Sequence, residues 1–132
     1  MTPDLVVTTT IDASPQEVFP YLVQPDLLVR WLGSWVDVDP QPDGQFAVDM
    51  GETQVRGSYL TVDPPYRVVF TWGIPGSDTL PAGSTTVEIV LQPEGDATVV
   101  ELTHRGLPDD WYAGHRQGWT DRVGVLASNV LE

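Results

Sequence analysis

Residues 107–132, LPDDWYAGHRQGWTDRVGVLASNVLE, decide how the rest of the chain has to fold. Pro108 suits the first turn of a helix, where its missing N–H is not needed. Asp109 and Asp110 place negative charge at the positive end of the helix dipole. Trp111, His115, Trp119, Val123, Leu126 and Val130 recur three or four residues apart and share one face. About 24 residues at a rise of about 1.5 Å predict a rod of roughly 36 Å. Such a rod has one apolar side and needs a surface of similar length to lie on. Gly114, Gly118 and Gly124 weaken it relative to alanine, so close approach to that surface, or room for a ligand, is the expected compensation.

Working back from this helix, the chain supplies the surface as strands. Val100, Leu102 and His104 alternate with Val99, Glu101, Thr103 and Arg105, the two-residue period of a half-buried strand. Val87, Ile89 and Leu91 repeat the pattern, as do Val68, Phe70 and Trp72, with the Gly- and Pro-rich stretch 73–83 between them as the longest loop. Thr53–Asp63 is a long strand of ambiguous phase: Tyr59 and Leu60 are adjacent, and Gly57 is a candidate bulge. Phe46, Val48 and Met50 form another strand, and Val36 and Val38 a shorter one. Further upstream, Pro25 starts a short helix carrying Leu27, Leu28, Trp31 and Leu32, stopped at Gly33. Ser14-Pro15-Gln16-Glu17 is a capping box for another, which Pro20 must kink or shorten. Leu5–Ile11 is a β-branched first strand. The order is strand, two short helices, six strands, long helix. Antiparallel strands with one wet and one dry face follow, with the long helix on the dry face.

The composition bounds the function. At 132 residues the chain reads as one domain, residues 1–132, large enough for a core with a cavity. It has no cysteine, which removes thiol nucleophiles and disulfides and fits a reducing cytosol. No apolar run reaches a membrane span, and MTPDLVVTTT lacks the features of a signal peptide. The expectation is a soluble cytoplasmic protein. All six basic residues are Arg, and the net charge is −13. That charge repels a phosphate backbone and an anionic membrane alike, so neither nucleic acid nor membrane is an expected partner.

The order of motifs resembles the SRPBCC (START/Bet v 1-like) superfamily and, within it, the domain of the activator of Hsp90 ATPase. The matching pieces are Ile11-Asp12-Ala13-Ser14-Pro15-Gln16-Glu17-Val18-Phe19, Pro25-Asp26 leading to Arg30-Trp31, and Asp43-Gly44-Gln45-Phe46. They continue through Gly57-Ser58-Tyr59-Leu60, Pro64–Trp72, Thr98–Leu107 and His115-Arg116-Gln117-Gly118-Trp119. The resemblance implies an α+β helix-grip fold: a bent antiparallel sheet wrapped around the C-terminal helix, with a cavity between them. It carries over no catalytic set. Fold alone therefore leaves function open.

The sequence has no G-x-S-x-G elbow, P-loop, G-x-G-x-x-G or H-E-x-x-H motif. What remains is a cavity with few polar groups. The expected ligand-binding residues are Trp31, Phe46, Met50, Phe70, Trp72 and Trp119 as apolar walls, with His104, His115 and Arg56 as polar groups. Arg56 contributes if it faces inward; outward, it is a sheet-surface charge. No metal and no fixed cofactor are expected: a His104–His115 pair would need a third ligand such as Asp109, Asp110 or Glu101, and that spacing matches no known metal pattern. The leading reading is a domain that binds a hydrophobic or amphipathic small molecule. The second is a cyclase or hydrolase acting on an aromatic, polyketide-like substrate, with His104 as the catalytic candidate. The third, by resemblance to the co-chaperone, is a stress-response interaction module with a chaperone partner or a homodimer.

Overall fold

The computed structural model describes residues 3–131. Strand β1 (Leu5–Ile11) leads into helix α1 (Pro15–Val18), a 3₁₀ turn (Phe19–Leu22) and helix α2 (Pro25–Leu28). Six strands follow: β2 (Trp35–Val38), β3 (Gln45–Met50), β4 (Thr53–Asp63), β5 (Arg67–Trp72), β6 (Thr85–Glu94) and β7 (Ala97–Arg105). Helix α3 (Asp109–Val130) closes the chain. The seven strands form one curved antiparallel sheet in the order β1-β7-β6-β5-β4-β3-β2. Each hairpin joins sequential neighbours, and the first strand returns to pair with the last. The curved sheet gripping a C-terminal helix is the helix-grip fold.

Register explains which residues meet on the concave face. Val87 lies opposite His104, Ile89 opposite Leu102 and Leu91 opposite Val100. On the other side, Phe70 lies opposite Val87 and Trp72 opposite Thr85. Because alternate side chains share a face, these rows build one continuous core with Val48, Val55 and Tyr59. Phe46 stacks on Phe70 with ring centres 4.0 Å apart, and Tyr59 meets Phe46 edge-on. The Tyr59 hydroxyl donates to the Leu22 carbonyl at 3.1 Å, which ties the 3₁₀ turn to the sheet.

Helix α3 buries Trp119, Val123 and Leu126 and half-buries Trp111, His115 and Val130. At about 1.5–3 kcal/mol per buried side chain, this stripe holds the helix on the sheet despite its glycines. The helix starts one residue later than the Pro signal predicts. Pro108 is its extended N-cap residue, φ −62° and ψ 153°, and the Trp111 amide donates to the Pro108 carbonyl.

Two other expectations resolve locally. Pro20 ends α1 at Val18 and opens the 3₁₀ turn instead of kinking a longer helix. The capping box forms as read: the Glu17 amide donates to the Ser14 hydroxyl, and the Ser14 amide to the Glu17 carboxylate. In β4 the register shifts between Tyr59 and Thr61, so the irregularity is at Leu60 and not at Gly57. Leu60 is thereby turned out to solvent. Gly57 serves a different need. A Cβ there would lie 2.0 Å from the Thr71 carbonyl oxygen, so its bare backbone lets β5 approach.

Candidate functional site

A cleft of about 280 Å³ opens between the N-terminal half of α3 and the sheet. Met50, Thr53 and Val55 contribute from the β3–β4 hairpin, Trp72 from the end of β5 and Ile74 from the loop after it. The helix contributes Asp110, Trp111, Gly114, His115, Gly118, Trp119 and Arg122, one face at a spacing of three and four. Gly114 makes room here: a Cβ on it would meet nothing within 4 Å. The loop after β5 is pinned beside the cleft. Leu80 is fully buried, the Ile74 amide donates to its carbonyl, and the Trp111 indole donates to the Thr79 hydroxyl at 2.9 Å. A wider, shallower depression of about 440 Å³ lies on the far side of Met50 and Arg122, which line both.

Behind the cleft wall runs a hydrogen-bonded relay whose tautomers follow from its geometry. The Thr85 hydroxyl donates to the Trp72 carbonyl at 2.7 Å, so its oxygen accepts from His104 Nε2 at 2.8 Å. His104 therefore carries its proton on Nε2. Its Nδ1 accepts from the Trp119 indole N–H at 3.0 Å. The Trp72 indole donates to His115 Nε2 at 3.2 Å, and His115 Nδ1–H donates to the Trp111 carbonyl at 2.9 Å. The two imidazoles are thus opposite tautomers, both neutral. Burial pushes His104 down to about 3 from an ordinary 6.5, helped by the neighbouring His115. Burial also lowers His115, against the opposing pull of the Trp111 carbonyl. The rings lie 5.2 Å apart, but the unprotonated nitrogen of each is taken by an indole. Neither lone pair is left to ligate a metal or to act as a base.

The family profile described as Activator of Hsp90 ATPase homolog 1-like protein matches residues 12–130. The chain belongs to this family. Among solved structures, an AHSA1-like protein from Rhizobium etli is 36% identical over 98% of this chain and 84% of its own, with a TM-score of 0.73. A protein from Mesorhizobium loti is 22% identical over 98% and 96%, with a TM-score of 0.86. The Aha1 dimer from Colwellia psychrerythraea is 15% identical over 98% and 96%, with a TM-score of 0.87. No curated protein matches the chain.

Within this family fold, the nine expected site residues separate by position. Met50, Trp72, His115 and Trp119 line the cleft. Phe46 and Phe70 are stacked on each other in the core. Trp31 packs against the 3₁₀ turn, its indole donating to the Tyr21 carbonyl, and borders the shallower depression instead. His104 sits behind Trp119, 1% exposed, and does not reach the cleft. Arg56 faces the opposite side of the sheet, where it pairs with Asp49 at 2.9 Å and covers the Trp35 ring. Its direction follows from the alternation with buried Val55.

The cleft also contains residues the sequence reading did not single out for it. Thr53 and Val55 enter from the start of β4 and Ile74 from the loop after β5, positions that depend on how the hairpins fold. Arg122 is the more telling omission. It lies on the same helical face as His115, Gly118 and Trp119, and a charged residue interrupting that stripe was the available signal.

Proposed function

We propose that this protein binds a hydrophobic or amphipathic small molecule in the cleft between α3 and the sheet. The carrying observation is the wall itself. Trp72, Trp111 and Trp119 stand with Met50, Val55 and Ile74 around a space that Gly114 leaves open. Apolar walls with a few polar groups are the usual form of a small-molecule site. The commitment of both His104 nitrogens within the relay weighs against the cyclase or hydrolase reading, because that reading needs a free imidazole.

The test is titration with the neutral fluorophore N-phenyl-1-naphthylamine, followed by quenching of tryptophan emission. One saturable site is expected. Gly114→Leu places a side chain in the open space of the cleft and should weaken binding by about tenfold or more, the scale of losing roughly 1.4 kcal/mol. Absence of saturable binding, or equal binding by the variant, overturns the proposal.

A further inference from the structure

We infer that Arg122 anchors the acid group of the cleft's ligand, which makes the ligand class an amphipathic carboxylate with an aromatic or alkyl body. The inference rests on the cleft being a binding site and adds the chemistry of what it holds. Arg122 lines the cleft at the end remote from Asp110. It is half-buried. Its Nε donates to the Leu32 carbonyl at 3.0 Å and its Nη1 to the Gly118 carbonyl at 3.4 Å. Those contacts fix the guanidinium without neutralising it. Among the described residues, no carboxylate lies within salt-bridge distance of it; Arg30 and Arg116 also lack one but are exposed, whereas the half-buried Arg56 and Arg67 each have an acidic partner.

The neighbouring Asp121 acts on Arg122 through its charge but makes no salt bridge with it, so in a chain of net charge −13 this half-buried guanidinium stays open to another acceptor. Nη2 has no hydrogen-bond partner among the described residues. Among the described residues no side-chain nitrogen is both buried and unpartnered, so Nη2 is accessible. With Nε and one Nη1 hydrogen engaged, the second Nη1 hydrogen and the Nη2 group remain, and two such donors match the two oxygens of a carboxylate. The other end sets the orientation. Asp110 is about 18 Å away along the helix, from twelve residues at about 1.5 Å each, and repels an acid group there. The acid therefore seats at Arg122, and the apolar body lies along Trp119, Trp72 and Trp111.

The test compares 2-naphthoate with 2-naphthalenemethanol, which have the same ring system and differ in charge, by calorimetry at pH 7 and about 0.15 M salt. Wild type should bind the carboxylate at least about tenfold more tightly, as expected for charge-assisted hydrogen bonds. In Arg122→Gln the ratio should fall to near one, with circular dichroism reporting the fold. Equal affinities in wild type overturn the inference, as does a preference that survives the substitution. Tight binding of the alcohol alone overturns it and leaves the cleft proposal standing. If neither compound binds and the neutral naphthylamine probe also fails, the cleft proposal falls and takes this inference with it.

Discussion

The His104 relay makes the stability of this protein depend on pH in a calculable way. The neutral ring donates to Thr85 and accepts from Trp119, so a proton added to Nδ1 would face the indole N–H. The folded value of about 3 lies far below the ordinary 6.5 expected in the unfolded chain. Between those values the unfolded state binds the extra proton, so stability falls as pH falls. The contribution is fully present above about pH 6.5 and is lost progressively down to about pH 3. At pH 4.5 the gap of about two pH units below 6.5 corresponds to a loss of about 2.7 kcal/mol. The assay is urea unfolding of wild type and His104→Gln at pH 7.5 and 4.5. At pH 7.5 the variant should be less stable by about 1–3 kcal/mol, the cost of disturbing a buried hydrogen-bond network. Between the two pH values wild type should lose roughly 2–3 kcal/mol more than the variant, because the other titrating groups are common to both. Parallel losses would show that His104 does not keep its neutral form in the fold, and would refute the tautomer assignment.

Three further outcomes follow from single contacts. Gly114→Ala should raise the melting temperature, since its Cβ meets nothing within 4 Å and alanine is favoured over glycine mid-helix by about 1 kcal/mol. Gly57→Ala should destabilise by about 3 kcal/mol or more, or fail to fold, because its Cβ would lie 2.0 Å from the Thr71 carbonyl oxygen; denaturant melts of the pair decide it. Thr98→Val removes the fully buried hydroxyl that donates to the Ala13 carbonyl at 2.7 Å. It should cost about 1–3 kcal/mol by the same measurement, because the Ala13 carbonyl is left without its donor.

The fold was legible because its signals were local and agreed with one another. The six-residue stripe from Trp111 to Val130, the Ser14–Glu17 box and the two-residue alternation of β3 and β5–β7 each follow from periodicity or capping. The cleft was less legible, because a concave wall is assembled across elements. Phe46 and Met50 are on the same face of β3, yet one is sealed under Phe70 and the other opens to the cleft. The difference lies in how the hairpins curve, which alternation does not encode. His104 was read correctly as inward-facing, but inward was not the same as ligand-facing, since Trp119 stands between. Arg56 illustrates phase: once Val55 is buried, its neighbour must emerge on the other side.

The closing pair of the sheet sets a timetable for synthesis. Leu5 pairs with His104 and Ile11 with Thr98, so β1 meets its partner only after nearly the whole sheet has been made. At a translation rate of about 5–20 residues per second, the first strand waits about 5–20 s on the ribosome before its neighbour exists. An unpaired β-branched strand is an invitation to aggregate during that interval. Its residues meet the demand: only the ends, Leu5 and Ile11, are fully buried in the finished sheet, and three of the five residues between them are Thr8-Thr9-Thr10. Three hydroxyls keep the nascent strand hydrated while it waits, and the two apolar ends become useful when β7 arrives.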